Sequence, residues 1–249
     1  MDHAELASCI KELKMPSVLE YFAEVSERAG KENWSFERYL YELLTIEREH
    51  RKERRIQKLT RESRLPLSKT LDTLDRKRFS RAINQQIDAL VEGSFLSRHE
   101  NVLVFGNPGS GKSHTLCAIA NELILQGHRV LFRNCEILVQ ELLIAKRDFA
   151  LPALLRKLRR YEALIIDDIG YVQQNREEME VLFTLLADRY ETASTMITSN
   201  LPFSAWEKIF KDPMTTAAAI DRLVHHSMIL ELNLSSYRLE QAKKEKKRE

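Results

Sequence analysis

Residues 102–113 read Val-Leu-Val-Phe-Gly-Asn-Pro-Gly-Ser-Gly-Lys-Ser, and the last eight match the pattern G-x-x-x-x-G-K-S/T. The apolar residues before this loop favour a strand, and the residues from His114 onward favour a helix. Glycines let such a loop wrap so that backbone N–H groups point at phosphate oxygens, and the helix N-terminus adds partial positive charge. The sequence therefore predicts a P-loop that binds ATP through Gly106, Asn107, Pro108, Gly109, Ser110, Gly111, Lys112, Ser113 and His114.

The last two residues of the pattern have the most specific chemical roles. Lys112 is expected to reach the β- and γ-phosphates, and the Ser113 hydroxyl is expected to be a ligand of magnesium. A chance match in a tight turn is the alternative, but the order of strand, loop and helix argues against it. The expected cofactors are therefore ATP and Mg²⁺.

A second candidate segment, Leu164-Ile-Ile-Asp167-Asp168, lies downstream. An apolar strand that ends in acidic residues positions a carboxylate beside the magnesium ion of a bound nucleotide. Asp167 is therefore the second candidate metal ligand. Asp168 is a candidate general base for the attacking water; the alternative is that it only caps the turn before Gly170.

A third apolar run, Met196-Ile-Thr-Ser, ends at Asn200. If its strand lies between the other two, the Asn200 amide can orient the attacking water and touch the γ-phosphate. The alternative is an ordinary turn, because Leu201-Pro202 follows. Asn200 joins Asp168 as a candidate catalytic residue.

Short runs rich in Val, Ile and Leu alternate with helical stretches after about residue 65. This alternation predicts an α/β domain with a parallel sheet covered on both faces. We expect the domain to span residues 65–242 and the charged residues 243–249 to form a tail. The predicted strands are Asn101–Phe105, Arg129–Phe132, Ala163–Ile166, Thr195–Thr198 and Met228–Leu232.

Residues 1–64 are expected to form a small, all-helical domain that contacts DNA or a partner. Apolar residues recur at helical spacing, and Met15-Pro16 marks a break between the first two helices. Ser17 is predicted to cap the second helix. The third begins near Ser35 and continues into a charged, mainly basic segment.

Composition excludes several classes of protein. Three cysteines (Cys9, Cys117 and Cys135) are an odd number without a C-x-x-C spacing, which favours a reducing compartment and no zinc site. The acidic N-terminus is not typical of a signal peptide, and no apolar run approaches the roughly 20 residues of a membrane span. We therefore expect a cytoplasmic protein that does not enter a membrane. A formal net charge of +2 neither favours nor excludes nucleic acid.

Two basic clusters are candidates for duplex DNA binding. No base-reading motif accompanies them, so a sequence-independent grip on the phosphate backbone is the interpretation. A solvated charged face is the alternative for each cluster. The first contains Arg48, Arg51, Lys52, Arg54, Arg55, Lys58 and Arg61; the second contains Lys146, Arg147, Arg156, Lys157, Arg159 and Arg160.

With these pieces in order, the chain resembles an AAA+ ATPase, and more closely the IstB-like family of ATP-dependent transposition helpers, which is related to the DnaC helicase loaders. The resemblance covers nearly the whole chain. Besides the P-loop, it rests on Leu164–Tyr171, Asp188–Tyr190, Thr198–Phe203, Ile220–His225 and Ser236–Arg238. It implies a five-stranded sheet of order 5-1-4-3-2, with Asn200 in the sensor-1 position.

The resemblance also implies assembly. Arg222 falls where related initiator ATPases carry an arginine finger, which reaches the γ-phosphate on a neighbouring subunit and makes hydrolysis depend on assembly. The alternative is a surface arginine paired with Asp188 or Asp221. Implied partners are duplex DNA, a transposase and further copies of the chain in a ring or spiral.

Two departures from the family pattern stand out. Asp168 occupies a position where many AAA+ proteins have glutamate, so hydrolysis is expected to be slow or partner-dependent. After the last predicted strand, which ends near Leu232, too little chain remains for a full helical lid. Arg238 is then a candidate for a reduced sensor-2 role, or makes a simple phosphate or solvent contact.

Three functional classes follow. The favoured one is an ATPase that oligomerises on DNA and recruits or stimulates a transposase. A DnaC-type helicase loader is the alternative, although the basic N-terminal helix without metal ligands does not resemble the partner module of a loader. A small-molecule kinase is the third, but it would need neither Asn200 nor Arg222.

Overall fold

The structure is a computed structural model, and it describes residues 3–170, 176–206 and 213–237. Tyr171, Arg238 and the charged tail of the sequence analysis lie outside these residues. The chain divides into two compact units, Met1–Lys58 and Leu59–Glu249. The division falls inside the helix that spans Phe36–Ser63.

The smaller unit consists of helices α1 (His3–Glu12), α2 (Pro16–Lys31) and α3 (Phe36–Ser63), and α3 continues into the larger unit. A small apolar core holds the three helices together, with Ile10, Val18, Val25 and Leu43 buried at its centre. The expected break at Met15-Pro16 separates α1 from α2, since proline lacks the N–H that an uninterrupted helix would use.

The prediction that Ser17 caps α2 is wrong. Met15 occupies the N-cap position without a side-chain hydrogen bond, and Pro16 is the first helical residue. The free N–H groups of Ser17 and Val18 donate instead to the Glu47 carboxylate, at 2.8 and 3.3 Å. A carboxylate from a different helix thus satisfies the first turn, a contact that local sequence patterns do not reveal.

Five parallel strands form the sheet of the larger unit. Their order is β2-β3-β4-β1-β5, which is the expected order 5-1-4-3-2 written in the opposite direction. Nearly every residue of the central strands is buried, as expected for a sheet with helices on both faces. The strands are β1 (Asn101–Gly106), β2 (Val130–Asn134), β3 (Ala163–Ile169), β4 (Ser194–Ser199) and β5 (Ser227–Leu232).

Seven helices of the larger unit follow α3 within the described residues. Buried leucines and isoleucines such as Leu103, Ile166, Leu182 and Ile197 form the core between helices and sheet. The helices are α4 (Arg81–Val91), α5 (Ser94–Ser97), α6 (Lys112–Leu125), α7 (Cys135–Arg147), α8 (Leu151–Leu158), α9 (Arg176–Arg189) and α10 (Pro213–Val224). None of the helices in the described part of the chain is long and apolar enough to cross a membrane.

The carboxyl ends of β1, β3 and β4 are neighbours at one edge of the sheet. In the pairing of β1 with β4, Phe105 faces Ser199, and in that of β3 with β4, Ile166 faces Ile197. Beyond Ile166 the register shifts until Ile169 pairs with Ser199. The candidate residues of all three segments are therefore brought to one edge, where open α/β sheets bind ligands.

Candidate nucleotide-binding site

The loop after β1 has backbone conformations that require glycine at two points. Gly106 has φ 150° and Gly109 has φ 78°, both unfavourable for other residues. A Cβ atom added at Gly106 would lie 2.3 Å from the carbonyl oxygen of Leu232, and one at Gly109 would lie 2.2 Å from Ser236 Oγ. Close approach of the last residue of β5 and of the chain after it therefore explains both glycines.

Lys112, the first residue of α6, points back into this loop. Its Nζ atom donates hydrogen bonds to the carbonyl oxygens of Gly106 at 2.9 Å and Asn107 at 3.0 Å, and the residue is only 6% exposed. The Lys112 ammonium is thereby held inside the loop whose backbone N–H groups are expected to surround the phosphates. The position suits a cation that binds phosphate.

Ser110 gives a second sign that the loop accommodates an anion. Its Oγ atom is buried and has no hydrogen-bond partner among the residues that the structure describes. Buried hydroxyl groups without a partner are rare in folded proteins. A phosphate oxygen would supply the missing acceptor, so the loop fits a nucleotide.

A cavity of about 320 Å³ opens beside the loop. P-loop residues from Pro108 to His114 line one wall, and Asp168 and Asn200 line the same space. The segment between α3 and α4 supplies a wall that was not anticipated from the sequence, because it has no periodic pattern. Its lining residues are Lys69, Thr73, Leu74, Asp75, Arg78 and Phe79.

His114 ties the unanticipated wall to the P-loop helix. Its Nε2 atom lies 3.0 Å from Thr73 Oγ1 and 3.2 Å from the Thr70 carbonyl oxygen. Burial lowers the pKa of His114 below its ordinary value, so the ring is held in its neutral form. The side chain therefore shapes the cavity as well as lining it.

Asp167 lies at the end of β3 and is 7% exposed. Its Oδ1 atom accepts a hydrogen bond of 2.7 Å from Thr198 Oγ1, and the same hydroxyl oxygen accepts the backbone N–H of Asp168 at 2.8 Å. Thr198 therefore holds both acidic residues, and sequence reasoning missed it. The sequence feature that could have identified Thr198 is a polar residue inside an apolar strand, β4, that neighbours the strand carrying the acidic residues.

Asp168 has a left-handed backbone conformation, with φ 61°. Aspartate tolerates this region better than most residues, and it coincides here with the register shift between β3 and β4. The strand continues to Ile169, so Asp168 lies inside the strand rather than in the turn before Gly170. Its side chain lines the cavity.

Asn200 follows β4 and lines the same cavity. The turn into Leu201 is held by its neighbour, because Ser199 Oγ accepts the N–H of Leu201 at 3.1 Å. The Asn200 amide is therefore not what closes this turn. Its place beside Asp168 and Lys112 agrees with a role toward the nucleotide.

The chain after β5 returns to the P-loop. The backbone N–H of Tyr237 donates to the Gly109 carbonyl oxygen at 3.0 Å. Arg78 donates to the Ser235 carbonyl oxygen at 2.8 Å and lies 5.2 Å from the centre of the Tyr237 ring. Tyr237 thus closes one side of the cavity, and the motif Ser236-Tyr-Arg238 was its signal in the sequence.

Arg222 lies away from this cavity, near the end of α10. Together with Asn101 and His226 it lines a small space of about 110 Å³ at the amino ends of β1 and β5, whereas the P-loop follows the carboxyl end of β1. Its guanidinium carbon is 4.8 Å from the centre of the Phe183 ring. The arginine and the P-loop of one copy are therefore at opposite edges of the sheet.

The alternative pairing of Arg222 is not found. Asp188 forms a two-bond ion pair with Arg159, and no Arg222–Asp221 bridge occurs within residues 3–170, 176–206 and 213–237. Arg222 Nη1 is buried without a hydrogen-bond partner in the described chain. At least one N–H donor group of Arg222 is therefore unused among the described residues.

Acidic neighbours already hold several of the candidate DNA contacts. Arg51 and Arg54 both pair with Glu47, at 3.0 and 3.2 Å, and Arg48 pairs with Glu49 at 3.3 Å. Lys146 pairs with Glu180 at 3.0 Å. Exposed cations of the two clusters for which the described residues supply no ion pair are Lys52, Arg61, Arg147, Arg156, Lys157 and Arg160.

The chain is similar to known ATP-binding proteins. Residues 8–245 match the model of a family described as IstB-like ATP binding protein. A protein of Sinorhizobium fredii named as an insertion-sequence ATP-binding protein is 39% identical, over 99% of this chain and 83% of its own length. The insertion sequence IS21 ATP-binding protein of Pseudomonas aeruginosa is 36% identical, over 96% of this chain and 91% of its own length.

Solved structures share the fold. The DnaC helicase loader superposes with a TM-score of 0.58 at 18% identity, covering 66% of this chain and 97% of its own. DnaA from Aquifex aeolicus gives a TM-score of 0.59 at 17% identity, covering 74% of this chain and 55% of its own. At such identities the likeness concerns the AAA+ fold alone.

Proposed function

The chain belongs to the family of IstB-like ATP-binding proteins and is an AAA+ ATPase associated with insertion sequences, and from that premise we propose that it assembles on duplex DNA with ATP and recruits or stimulates a transposase. The main support for this proposal is the position of four candidate residues in the fold. Lys112, Asp168 and Asn200 line one cavity, whereas Arg222 lies at the opposite edge of the sheet. A site divided in this way is complete only where two copies meet.

Nucleotide binding is the first step. The N–H groups of the P-loop and the Lys112 ammonium hold the phosphates, and the Ser110 hydroxyl gains the acceptor that it lacks. Phosphate oxygens replace the two carbonyl groups that Lys112 contacts. The segment from Lys69 to Phe79 encloses the rest of the nucleotide.

Ser113 and Asp167 would hold magnesium. A hydroxyl and a carboxylate are oxygen ligands of the kind that Mg²⁺ prefers, together with phosphate oxygens and water. The ion would neutralise charge between the phosphates. Thr198 supports this role, because its hydrogen bond fixes one oxygen of the Asp167 carboxylate.

Hydrolysis requires an oriented water molecule. Asp168 acts as the general base, and the Asn200 amide orients the water toward the γ-phosphate. Both side chains line the cavity, which supports these roles. An aspartate is one methylene shorter than glutamate, so we expect slow turnover until assembly completes the site.

Arg222 completes the site from a neighbouring copy. A guanidinium group supplied in trans stabilises the charge that develops on the transferred phosphate. Arg222 suits this role because it makes no ion pair with Asp188 or Asp221 among the described residues and lines a cavity at the amino ends of β1 and β5. ATP hydrolysis is thereby coupled to assembly on DNA.

The deciding experiment measures the mass of complexes by light scattering, with duplex or single-stranded DNA and with ATP, ADP or no nucleotide. We expect large complexes on duplex DNA only with ATP, and none with Lys112→Ala under any condition. A preference for single strands, or no DNA binding until a replicative helicase is added, would contradict the proposal and favour a helicase loader.

A further inference from the structure

A second cavity, of about 260 Å³, lies in the larger unit where the end of α3 approaches edge strand β2 and helix α8. It has no lining residue in common with the nucleotide cavity. Its lining combines cations, two acids and an apolar floor. The residues are Arg61, Glu62, Arg64, Leu131, Arg133, Glu141, Leu154, Lys157, Leu158 and Tyr161.

The charges in this second cavity do not balance. Both acids are already engaged, since Glu62 pairs with Arg129 and Glu141 pairs with Arg133, each at 3.3 Å. The other three cations are exposed, and none of them forms an ion pair within residues 3–170, 176–206 and 213–237. These cations, Arg61, Arg64 and Lys157, leave a concave surface with an uncompensated positive charge.

The fold creates this cluster from separate parts of the sequence. Arg61 belongs to the first basic cluster and Lys157 to the second, and Arg64 belongs to neither. Arg156, the neighbour of Lys157 on α8, does not line the cavity. Only some cations of each basic cluster therefore line the second cavity.

We propose that this second cavity binds a phosphate group of the DNA backbone, an inference that rests on the duplex-DNA binding proposed above. Three cations around an apolar floor suit a phosphate, because nearby low-dielectric groups strengthen the attraction. Arg and Lys can also contact base edges, but both acids of the cavity are already paired and the three remaining cations match the negative charge of a phosphate. Contact is therefore with the backbone and independent of sequence.

The test compares single variants in duplex-DNA titrations, followed by fluorescence anisotropy at several salt concentrations with a non-hydrolysable ATP analogue. Each of Arg61→Ala, Arg64→Gly and Lys157→Ala should weaken binding and lower the slope of log K against log salt by about 0.9. Arg64 has φ 57°, where glycine is favoured, so Arg64→Gly removes the charge without straining the backbone. Binding of a fluorescent ATP analogue should be unchanged.

Arg156→Ala is the matched control, because it removes a neighbouring charge from the same helix. Equal losses for Arg156→Ala and Lys157→Ala would overturn the assignment, since they would indicate a diffuse charged face. Normal DNA binding by all three cavity variants would overturn it and leave the proposed function intact. No duplex binding by the unaltered protein would overturn both. A second bound equivalent of nucleotide, lost in Lys157→Ala, would show that the cavity takes nucleotide instead.

Discussion

Thr198 connects the two acidic residues at the end of β3 through a single hydroxyl group. It donates to Asp167 Oδ1 at 2.7 Å and accepts the N–H of Asp168 at 2.8 Å. The first bond fixes the carboxylate proposed to hold magnesium, and the second fixes the backbone of the proposed base. One side chain thus sets the positions of two chemical groups.

We expect Thr198→Val to lower kcat for ATP hydrolysis more than it weakens ATP binding, because valine keeps the shape but loses the hydroxyl. The buried Asp167 acceptor is then left with one bond fewer, which costs about 1–3 kcal/mol of folding stability. Steady-state kinetics and thermal unfolding measure the two effects. Thr195→Val, in the same strand and 2% exposed, is the control; equal kinetics for both variants would refute the role of Thr198.

Lys112 and Asp168 should separate ATP binding from hydrolysis. Lys112→Ala removes the buried ammonium and should abolish nucleotide binding, whereas Asp168→Asn should bind ATP and remain trapped in the assembled state. A fluorescent ATP analogue reports binding, and light scattering reports assembly. Lys31→Ala, an exposed lysine paired with Glu27 and outside both basic clusters, is the control. ATP-dependent assembly by the Lys112 variant would contradict the mechanism.

At the scale of elements, the five strands were predictable because strands buried on both faces are continuous apolar runs. The structure extends them at their carboxyl ends, to Asn134 in β2, Ile169 in β3 and Ser199 in β4. Apart from Ile169, these extensions consist of polar or charged residues, and hydropathy alone ends each strand before them. They are also where the candidate site lies, so the motifs rather than the periodicity identified it.

Contacts between distant residues could not be predicted. The wall from Lys69 to Phe79 follows no helical or strand period, and only its place beside the P-loop gives it a role. The Glu47 contact with Ser17 joins residues 30 positions apart. The sequence indicates where a helix begins. It does not indicate which residue of another element accepts the free N–H groups of the first helical turn.

Glu47 stabilises the start of α2 from α3. Burial alone would raise its pKa, but hydrogen bonds from Ser17 N–H, Arg51 and Val18 N–H outweigh burial and hold the pKa below the ordinary value of 4.5. The carboxylate is thus favoured in the folded state. Its contribution to stability is present above about pH 4.5 and is lost as the pH falls through the lowered value.

We expect Glu47→Gln to cost the smaller unit about 2 kcal/mol, since hydrogen bonds to a charged acceptor become bonds to a neutral one. Hydrogen exchange of α2 measures the loss. Lowering the pH below about 4.5 should reduce the protection factors of the unaltered protein, which are corrected for the slower intrinsic exchange in acid, more than those of the variant. Glu49→Gln, which removes an exposed carboxylate on the same helix, should have little effect. Equal protection in both variants would contradict the proposed contact.

At the scale of the whole molecule, the P-loop and Arg222 occupy opposite edges of one sheet. A head-to-tail interface joins unlike surfaces of two copies, and repeating it generates a ring or a spiral. Every such interface would pair one P-loop with one Arg222. The number of working sites then equals the number of interfaces, which makes ATP hydrolysis a measure of assembly.

This arrangement predicts complementation between two inactive variants. Arg222→Ala keeps its own P-loop and Asp168, and Asp168→Asn keeps its Arg222. Each alone should hydrolyse ATP about a thousandfold more slowly than the unaltered protein on DNA. In an equal mixture, about a quarter of the interfaces combine an intact P-loop and Asp168 with an intact Arg222, so activity should return to that fraction.

The mixture distinguishes an arginine that acts in trans from one that acts within its own copy. In the second case no interface restores a working site, and the mixture remains as slow as its components. Arg98→Ala is the control, because Arg98 lines the same small cavity as Arg222 but is paired with Glu100 at 2.8 Å. If Arg98→Ala lowered turnover as much as Arg222→Ala, the cavity and not the finger would be responsible. A normal rate for Arg222→Ala in the assembled state would exclude the finger altogether.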